Sequence, residues 1–189
     1  MSITKLYTAE DLAAMGSDAP FELIEGELIE VAPSQGFSSE VSLLVAMPLL
    51  AFVRSRGLGH VTGESGGYVL SRDPDTVVAP DIGFISTAKV PDGLRDLSFI
   101  PFPPDLAIEI MSRTDRYPAT ERKARRYLEA GTRLVWVLRP DNRTAVVFAA
   151  DQLPRQLSIL DELDGGDVLP GFTVSLRELF ERAFRGPDA

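Results

Sequence analysis

Two stretches of the chain repeat apolar residues with the period of a helix, and shorter runs alternate with the period of a strand. Residues 39–56, SEVSLLVAMPLLAFVRSR, predict a long helix that is kinked at Pro48. Residues 119–131, ATERKARRYLEAG, predict a basic helix that ends at Gly131. The apolar runs predict strands at 60–65, 66–71, 76–86, 105–112 and, as a pair joined by an Asp-Asn turn, 133–149.

The flanking segments predict a short helix at 8–15, a β-hairpin at 20–34, a strand at 156–160 and a final helix at 175–184. The order of all these elements predicts an α/β (α+β) fold, in which helices flank a mixed central sheet and the N-terminal hairpin is an addition. No linker-like stretch divides the chain, so residues 1–189 are expected to form a single domain.

The composition excludes several kinds of active site. The chain has no cysteine and a single histidine, His60, which excludes disulfides, thiolate nucleophiles and the histidine-rich sites of zinc enzymes. A metal ion must therefore be held by oxygen ligands, as Mg²⁺ and Mn²⁺ are. The formal net charge of −9 argues against indiscriminate binding to nucleic acid, but not against a local basic patch. We recognise no membrane-spanning run and no signal peptide, so a cytoplasmic protein without a membrane partner is expected.

The segment GESGG, residues 63–67, fits the G-x-S-x-G pattern of serine hydrolases. That nucleophile needs a strand before it and a helix after it, whereas the following YVLS predicts a strand. The histidine base is also missing, because His60 lies only five residues before Ser65. We therefore interpret the glycines as a turn or a close approach of backbone.

Two carboxylates stand inside apolar strands. In DLAIEIMS, Ile108 and Ile110 share one face of the strand, which leaves Glu109 on the other. In VVAPDIGFI, Asp81 follows Pro80, a residue that occurs at bulges and strand edges and can redirect the next side chain. Together the two carboxylates are a natural pair of ligands for a divalent cation. Solvation at a strand end, or pairing with an arginine, is the alternative for each.

Five stretches in a fixed order carry a resemblance to a known family: FELIEGELIEVAPS, VVAPDIGFIS, PPDLAIEIMSRTDRY, ERKARRYLEAGTRLVWVLRP and LDGGDVLPGF. The chain resembles the Uma-type endonucleases of bacteria, within the PD-(D/E)XK, or restriction-endonuclease-like, nuclease superfamily. The resemblance implies a restriction-endonuclease-like core at about 38–149, with a C-terminal extension at 150–189. It also implies an endonuclease that hydrolyses phosphodiester bonds in nucleic acid, expected to be DNA, with Mg²⁺ as cofactor and Mn²⁺ as its substitute.

The same resemblance implies roles for individual residues. Pro80-Asp81 matches the PD half of the motif and Glu109 matches the acidic residue of ExK, so both carboxylates are implied as metal ligands. The usual lysine position is Met111 here, and the resemblance assigns its role to Lys123 on the following helix. Lys123 would orient or deprotonate the attacking water, or stabilise charge on the phosphate. A solvated helix face is the alternative.

Further residues are candidates for supporting roles. Residues 112–126 are locally basic in an acidic chain, and the candidate nucleic-acid-binding side chains are Arg113, Arg116, Arg122, Arg125 and Arg126. The alternative is a helix surface balanced by nearby glutamates. Possible accessory residues of the site are Glu40, Glu64 and Tyr127. Glu40 can equally be a charge favoured at a helix start, and Tyr127 a packing residue.

Two functions from different classes fit these observations. The first is the metal-dependent endonuclease, expected as a homodimer because cutting two strands often uses two active sites. The second is a nuclease-like fold that serves as a non-catalytic nucleic-acid-binding or assembly module, which the net acidic charge and Met111 favour. Binding of a divalent metal by Asp81 and Glu109 would separate the two.

Overall fold

A computed structural model describes residues 5–16, 19–33 and 35–185, so residue 34 of the predicted hairpin and the outer ends of the predicted domain lie outside it. Twelve strands occur in these ranges: β1 Phe21–Ile24, β2 Glu27–Glu30, β3 Gly59–Gly63, β4 Tyr68–Ser71, β5 Thr76–Val78, β6 Ile82–Ser86, β7 Leu106–Ile110, β8 Leu134–Arg139, β9 Thr144–Ala149, β10 Arg155–Leu157, β11 Glu162–Asp164 and β12 Thr173–Ser175. The α-helices there are α1 Ala9–Ala14, α2 Gly36–Arg56, α3 Tyr117–Glu129 and α4 Leu176–Phe184.

The central sheet is mixed, as the sequence predicted. It has six strands in the order β10-β9-β8-β7-β6-β3. Strands β7 and β8 pair in parallel, with Glu109 opposite Val137, and the other neighbours are antiparallel. A parallel pair needs a long crossover connection, and α3 supplies it. The basic helix is therefore tied directly to the strand that carries Glu109.

The N-terminal hairpin belongs to a second, smaller sheet. Its four strands run in the order β2-β1-β5-β4. Glu25 and Gly26 close the hairpin at positive φ, 51° and 81°, which explains a glycine in the turn. Strand β1 also pairs with β5, with Leu23 opposite Val77. This pairing places the start of the chain beside the segment that leads to Asp81.

The predicted strand at 76–86 is wrong as one element. Strand β5 ends at Val78 and lies in the small sheet, whereas β6 begins at Ile82 and lies in the central sheet. Pro80 has no N–H for a ladder hydrogen bond, so pairing stops there and the chain passes from one sheet to the other. The connection, residues 79–81, carries Asp81 at the junction of the two sheets.

Helices cover both faces of the central sheet. On one face, α2 buries Val41, Val45, Leu49 and Val53 against apolar residues of the sheet that include Trp136. On the other face, α3 buries Ala124 and Tyr127 against Ala107, Val135 and Val137. The side chains of β7 therefore alternate between the two faces of the sheet as predicted. Its isoleucines face α2, and Glu109 lies on the side of α3.

The expectation that no apolar run reaches membrane-spanning length is wrong for helix α2. It begins at Gly36, one turn before the predicted start, and its 21 residues have a window of mean hydropathy 1.7. By length and composition alone this helix could cross a membrane. Its inner face, however, packs on the central sheet and on α4, where Phe37 contacts Phe184.

Candidate active site

Glu109 is buried near the end of β7 and has two hydrogen-bond donors. The Tyr127 hydroxyl donates to Glu109 Oε1 at 3.0 Å, and Lys123 Nζ lies 3.1 Å from the same oxygen. Lys123 and Tyr127 are one helical turn apart on α3, so both reach the same side of the sheet. The carboxylate that stood out in the sequence is therefore paired, and its partners come from the crossover helix.

Lys123 contacts three acceptors with its ammonium group. Besides Glu109, its Nζ lies 2.9 Å from Glu22 Oε1 and donates to the Ala79 carbonyl oxygen at 3.0 Å. These acceptors come from β7, β1 and the connection after β5. The alternative of a solvated helix face is therefore not what the structure has, because the lysine is held at a meeting point of both sheets.

Glu22 is a site residue that the sequence analysis missed. Its Oε1 also accepts a hydrogen bond from the Ala79 N–H at 3.1 Å, which ties β1 to the Pro80 connection. The signal was available, since Glu22 stands between apolar residues in FELI just as Glu109 does in AIEI. The pattern of FELI itself predicts only one strand of a hairpin. Nothing in the local pattern revealed a cation about 100 residues away.

Asp81 lies where β6 and β7 meet. Its Oδ2 accepts a hydrogen bond of 2.6 Å from the N–H of Ile110, the residue that follows Glu109. The redirected side chain after Pro80 is therefore held against the end of the strand that carries Glu109. Asp81 Oδ1 and Glu109 Oε2 keep their lone pairs, because no hydrogen bond to either occurs among the described residues.

The site has more negative charge than the lysine can neutralise. Three carboxylates, Glu22, Asp81 and Glu109, share the single ammonium of Lys123. Burial raises the pKa of Glu109 to about 7; Lys123 opposes the shift, and Asp81 and Glu22 add to it. Burial also raises the pKa of Asp81, against the Ile110 hydrogen bond and Lys123. Burial lowers the pKa of Lys123, but Glu109 and Glu22 outweigh it and the net shift is upward.

These four side chains line a cleft with a volume of about 980 Å³. Its walls come from the N-terminal hairpin, the start of α2, the Pro80 connection, the end of β7 and α3. Met111, which stands where the superfamily lysine was expected, also lines it, as does Ser38. This volume lies near the upper end of the range of about 300–1,000 Å³ that is usual for ligand-binding clefts.

The other predicted site residues divide into two groups. Glu64 lines the cleft and raises the pKa of Asp81, and Tyr127 is buried against Glu109. Glu40 is exposed on α2 and is absent from the cleft lining. The candidate nucleic-acid-binding arginines also lie outside the lining, on the surface of α3 and the loop before it: Arg113, Arg116, Arg122, Arg125 and Arg126. Arg113 and Arg125 form ion pairs with Asp141 and Glu121.

The donor set fits a hard divalent cation. Within the described residues, no group of three or more His, Cys, Asp or Glu side chains is arranged to hold a metal. Mg²⁺ does not need one, since it commonly uses one or two carboxylates together with waters and substrate phosphate. The carboxylate oxygens of Asp81 and Glu109 are donors of that kind, and a charge of +2 would balance the surplus of the three carboxylates.

The raised pKa of Glu109 predicts an unusual pH dependence of stability. Between its ordinary value of 4.5 and about 7, the folded protein holds a proton that the unfolded chain releases. The free energy of unfolding of the metal-free protein should therefore fall by roughly 2 kcal/mol from pH 5 to pH 7.5. Urea denaturation in EDTA checks this, and Glu109→Gln should flatten the slope. Carboxylates with a lowered pKa, such as Asp75, change the stability only at pH values below this range. A wild-type curve that is flat would contradict the assignment.

A solved structure and a family profile both match this chain. A solved structure described as "a putative nuclease belonging to DUF820", from Anabaena variabilis ATCC 29413, superposes with a TM-score of 0.81. The match covers 93% of this chain and 98% of that one at 20% identity, which establishes a shared restriction-endonuclease-like fold. The profile of the Uma2 family, described as "Putative restriction endonuclease", matches residues 7–177, and the chain belongs to that family. No curated protein matches it.

Proposed function

We propose that this nuclease-family chain is a metal-dependent endonuclease that hydrolyses phosphodiester bonds in nucleic acid, with DNA as the substrate. The observation that carries the proposal is the convergence of Asp81, Glu109 and Lys123 in one cleft, with more carboxylate than cationic charge. A site of this composition attracts a divalent cation and, through that cation, a phosphate.

Asp81 and Glu109 would hold Mg²⁺, or Mn²⁺ in its place. When bound, the ion would polarise the phosphodiester and lower the pKa of a bound water. The Ile110 N–H fixes the Asp81 carboxylate, and the Tyr127 hydroxyl fixes that of Glu109. Both ligands are thus oriented in advance by groups that do not have to move.

Lys123 suits charge stabilisation better than proton abstraction. Its raised pKa keeps the ammonium protonated at neutral pH, so it can donate a hydrogen bond but cannot act as a base. Glu22 and the Ala79 carbonyl oxygen hold the ammonium group in position. We therefore assign Lys123 to the negative charge that develops on the phosphate, and we assign Glu22 to positioning Lys123.

The alternative function remains the binding module without cleavage. The Lys123 ammonium contacts Glu22, Glu109 and Ala79 together, so we expect cleavage to require that it exchange one of these acceptors for a phosphate oxygen. A protein that never makes this exchange would bind nucleic acid through the exposed Arg116 and Arg122 and leave it intact.

The two functions predict different results with supercoiled plasmid. The endonuclease should convert it to nicked or linear DNA with Mg²⁺ or Mn²⁺ and leave it intact in EDTA; a labelled RNA tests the substrate class. Binding of both nucleic acids is measured in Ca²⁺, which occupies oxygen sites but seldom supports cleavage. Binding without cutting under any of the metals would establish the module function instead.

A further inference from the structure

Helix α2 has an apolar surface on the side that faces away from the protein. Leu43, Met47 and Leu50 are exposed to 61%, 68% and 41%. They lie opposite the buried Val41 and Val45, because residues about two apart along a helix point to opposite sides. With Glu40 before them and Arg54 after them they form a row with alternating spacings of three and four residues. We call Glu40, Leu43, Met47, Leu50 and Arg54 the α2 outer stripe.

The spacing of the α2 outer stripe is that of the seam of a coiled coil, in which two helices pack along their length. The three apolar side chains in the middle of the stripe are exposed to water. They can be removed from water only if a partner surface covers them. The ends of the stripe specify what the partner must carry. Glu40 and Arg54 have opposite charges, and no charged residue lies between them.

We infer that the α2 outer stripe binds the same stripe of a second copy of this chain, with the two helices antiparallel. A two-fold axis beside Met47 then places Met47 against its counterpart and Leu43 against the partner's Leu50. The same axis places Glu40 against the partner's Arg54 at both ends, because these residues are equally far from Met47. The surface is complementary to itself only in this orientation, since a parallel pair would bring like charges together.

A membrane fits the helix less well than a second copy does. The uncharged stretch 41–53 would extend only about 20 Å at 1.5 Å per residue, against roughly 30 Å for the bilayer core. The inner side of the stretch is also occupied by the core, where Val45 and Leu49 are fully buried. Association through the outer stripe needs no change in this packing and does not depend on the proposed nuclease activity.

The test is sedimentation equilibrium of the full chain. An interface built from one helix pair is small, so concentrations up to about 200 µM are needed. Wild type should dimerise, and Met47→Glu should raise the dimer dissociation constant at least about 100-fold, because it buries a charge at the centre. Leu153→Glu is the matched control, since Leu153 is 91% exposed outside the stripe, and it should dimerise like wild type.

Exchange of the end charges tests the antiparallel orientation. Glu40→Lys and Arg54→Glu should each weaken the dimer about tenfold, because each puts like charges together twice. The double variant should regain wild-type affinity. A monomeric wild type at the highest concentration, a dimer that survives Met47→Glu, or a double variant as weak as the singles would overturn the inference. Binding of the wild type to anionic vesicles, lost in Met47→Glu while the protein stays monomeric, would assign the stripe to lipid instead.

Discussion

Lys123→Ala is expected to destabilise the metal-free protein by about 3–5 kcal/mol at pH 8, because it leaves one buried and two partly buried carboxylates without their cation. Glu22 and Glu109 lose their shared ammonium, and Asp81 loses a favourable charge nearby. At pH 5 the loss should be smaller, since the carboxylates can bind protons instead. Urea denaturation in EDTA at both pH values measures it. Lys123→Met is the matched control, because it removes the charge but keeps most of the apolar stem. Its difference from Lys123→Ala measures the contribution of the stem alone.

The same substitution should reduce single-turnover cleavage by at least about 100-fold, the usual effect of removing one group that stabilises charge in a transition state. Mn²⁺ should bind at least as tightly as in wild type, because the lysine competes for the carboxylates. Adding Met111→Lys should restore part of the rate, since Met111 lines the same cleft. Rescue is limited because a misplacement of about 1 Å can cost on the order of 100-fold. If Lys123→Ala cuts at the wild-type rate, the role of Lys123 is wrong.

Asp81→Asn and Glu109→Gln should each lower the cleavage rate on the order of 1000-fold. Both remove a charged ligand and keep its shape, and in Asp81→Asn the amide oxygen of the new side chain can still accept the Ile110 hydrogen bond. Stability in EDTA should stay near wild type or rise, because each change relieves repulsion among the three carboxylates.

Isothermal titration with Mn²⁺ should show weaker binding for both variants. Asp92→Asn, an exposed residue outside the cleft lining, is the control for loss of charge alone. If Asp81→Asn cleaves at the wild-type rate, Asp81 is not a ligand that the reaction needs. Weak metal binding with normal cleavage would contradict the metal dependence itself.

The elements with one clear period were predictable from the sequence. Strand β7 and helix α3 follow directly from the alternation around Glu109 and the basic helical repeat. The break at Pro80 was not, because the apolar run continues through it while the two halves join different sheets. Hydrophobic pattern reports which residues are buried, and it does not report which strand lies beside them.

The site was predictable only in part for the same reason. Asp81 and Glu109 stand out as carboxylates in apolar strands, so local pattern is sufficient to find them. Lys123 is one of several basic residues on a helix, and only the family resemblance distinguishes it from the others. The role of Glu22 could be predicted only by knowing that β1 pairs with β5, which brings Glu22 to Lys123 on α3. Its role depends on tertiary contacts between distant segments, which no window of sequence contains.

The ion pair between Glu22 and Lys123 has a consequence for the protein while it is being made. The two residues are on the order of a hundred positions apart, so a chain leaving the ribosome has β1 long before it has α3. Until α3 emerges, Glu22, Asp81 and Glu109 are carboxylates without their ammonium, and their mutual repulsion opposes closure of the cleft. Contacts this distant in sequence also slow folding, because the entropy of closing the long loop is lost before the contact is gained. A partly synthesised chain therefore has the three carboxylates of the candidate site before it has the ammonium that holds them together.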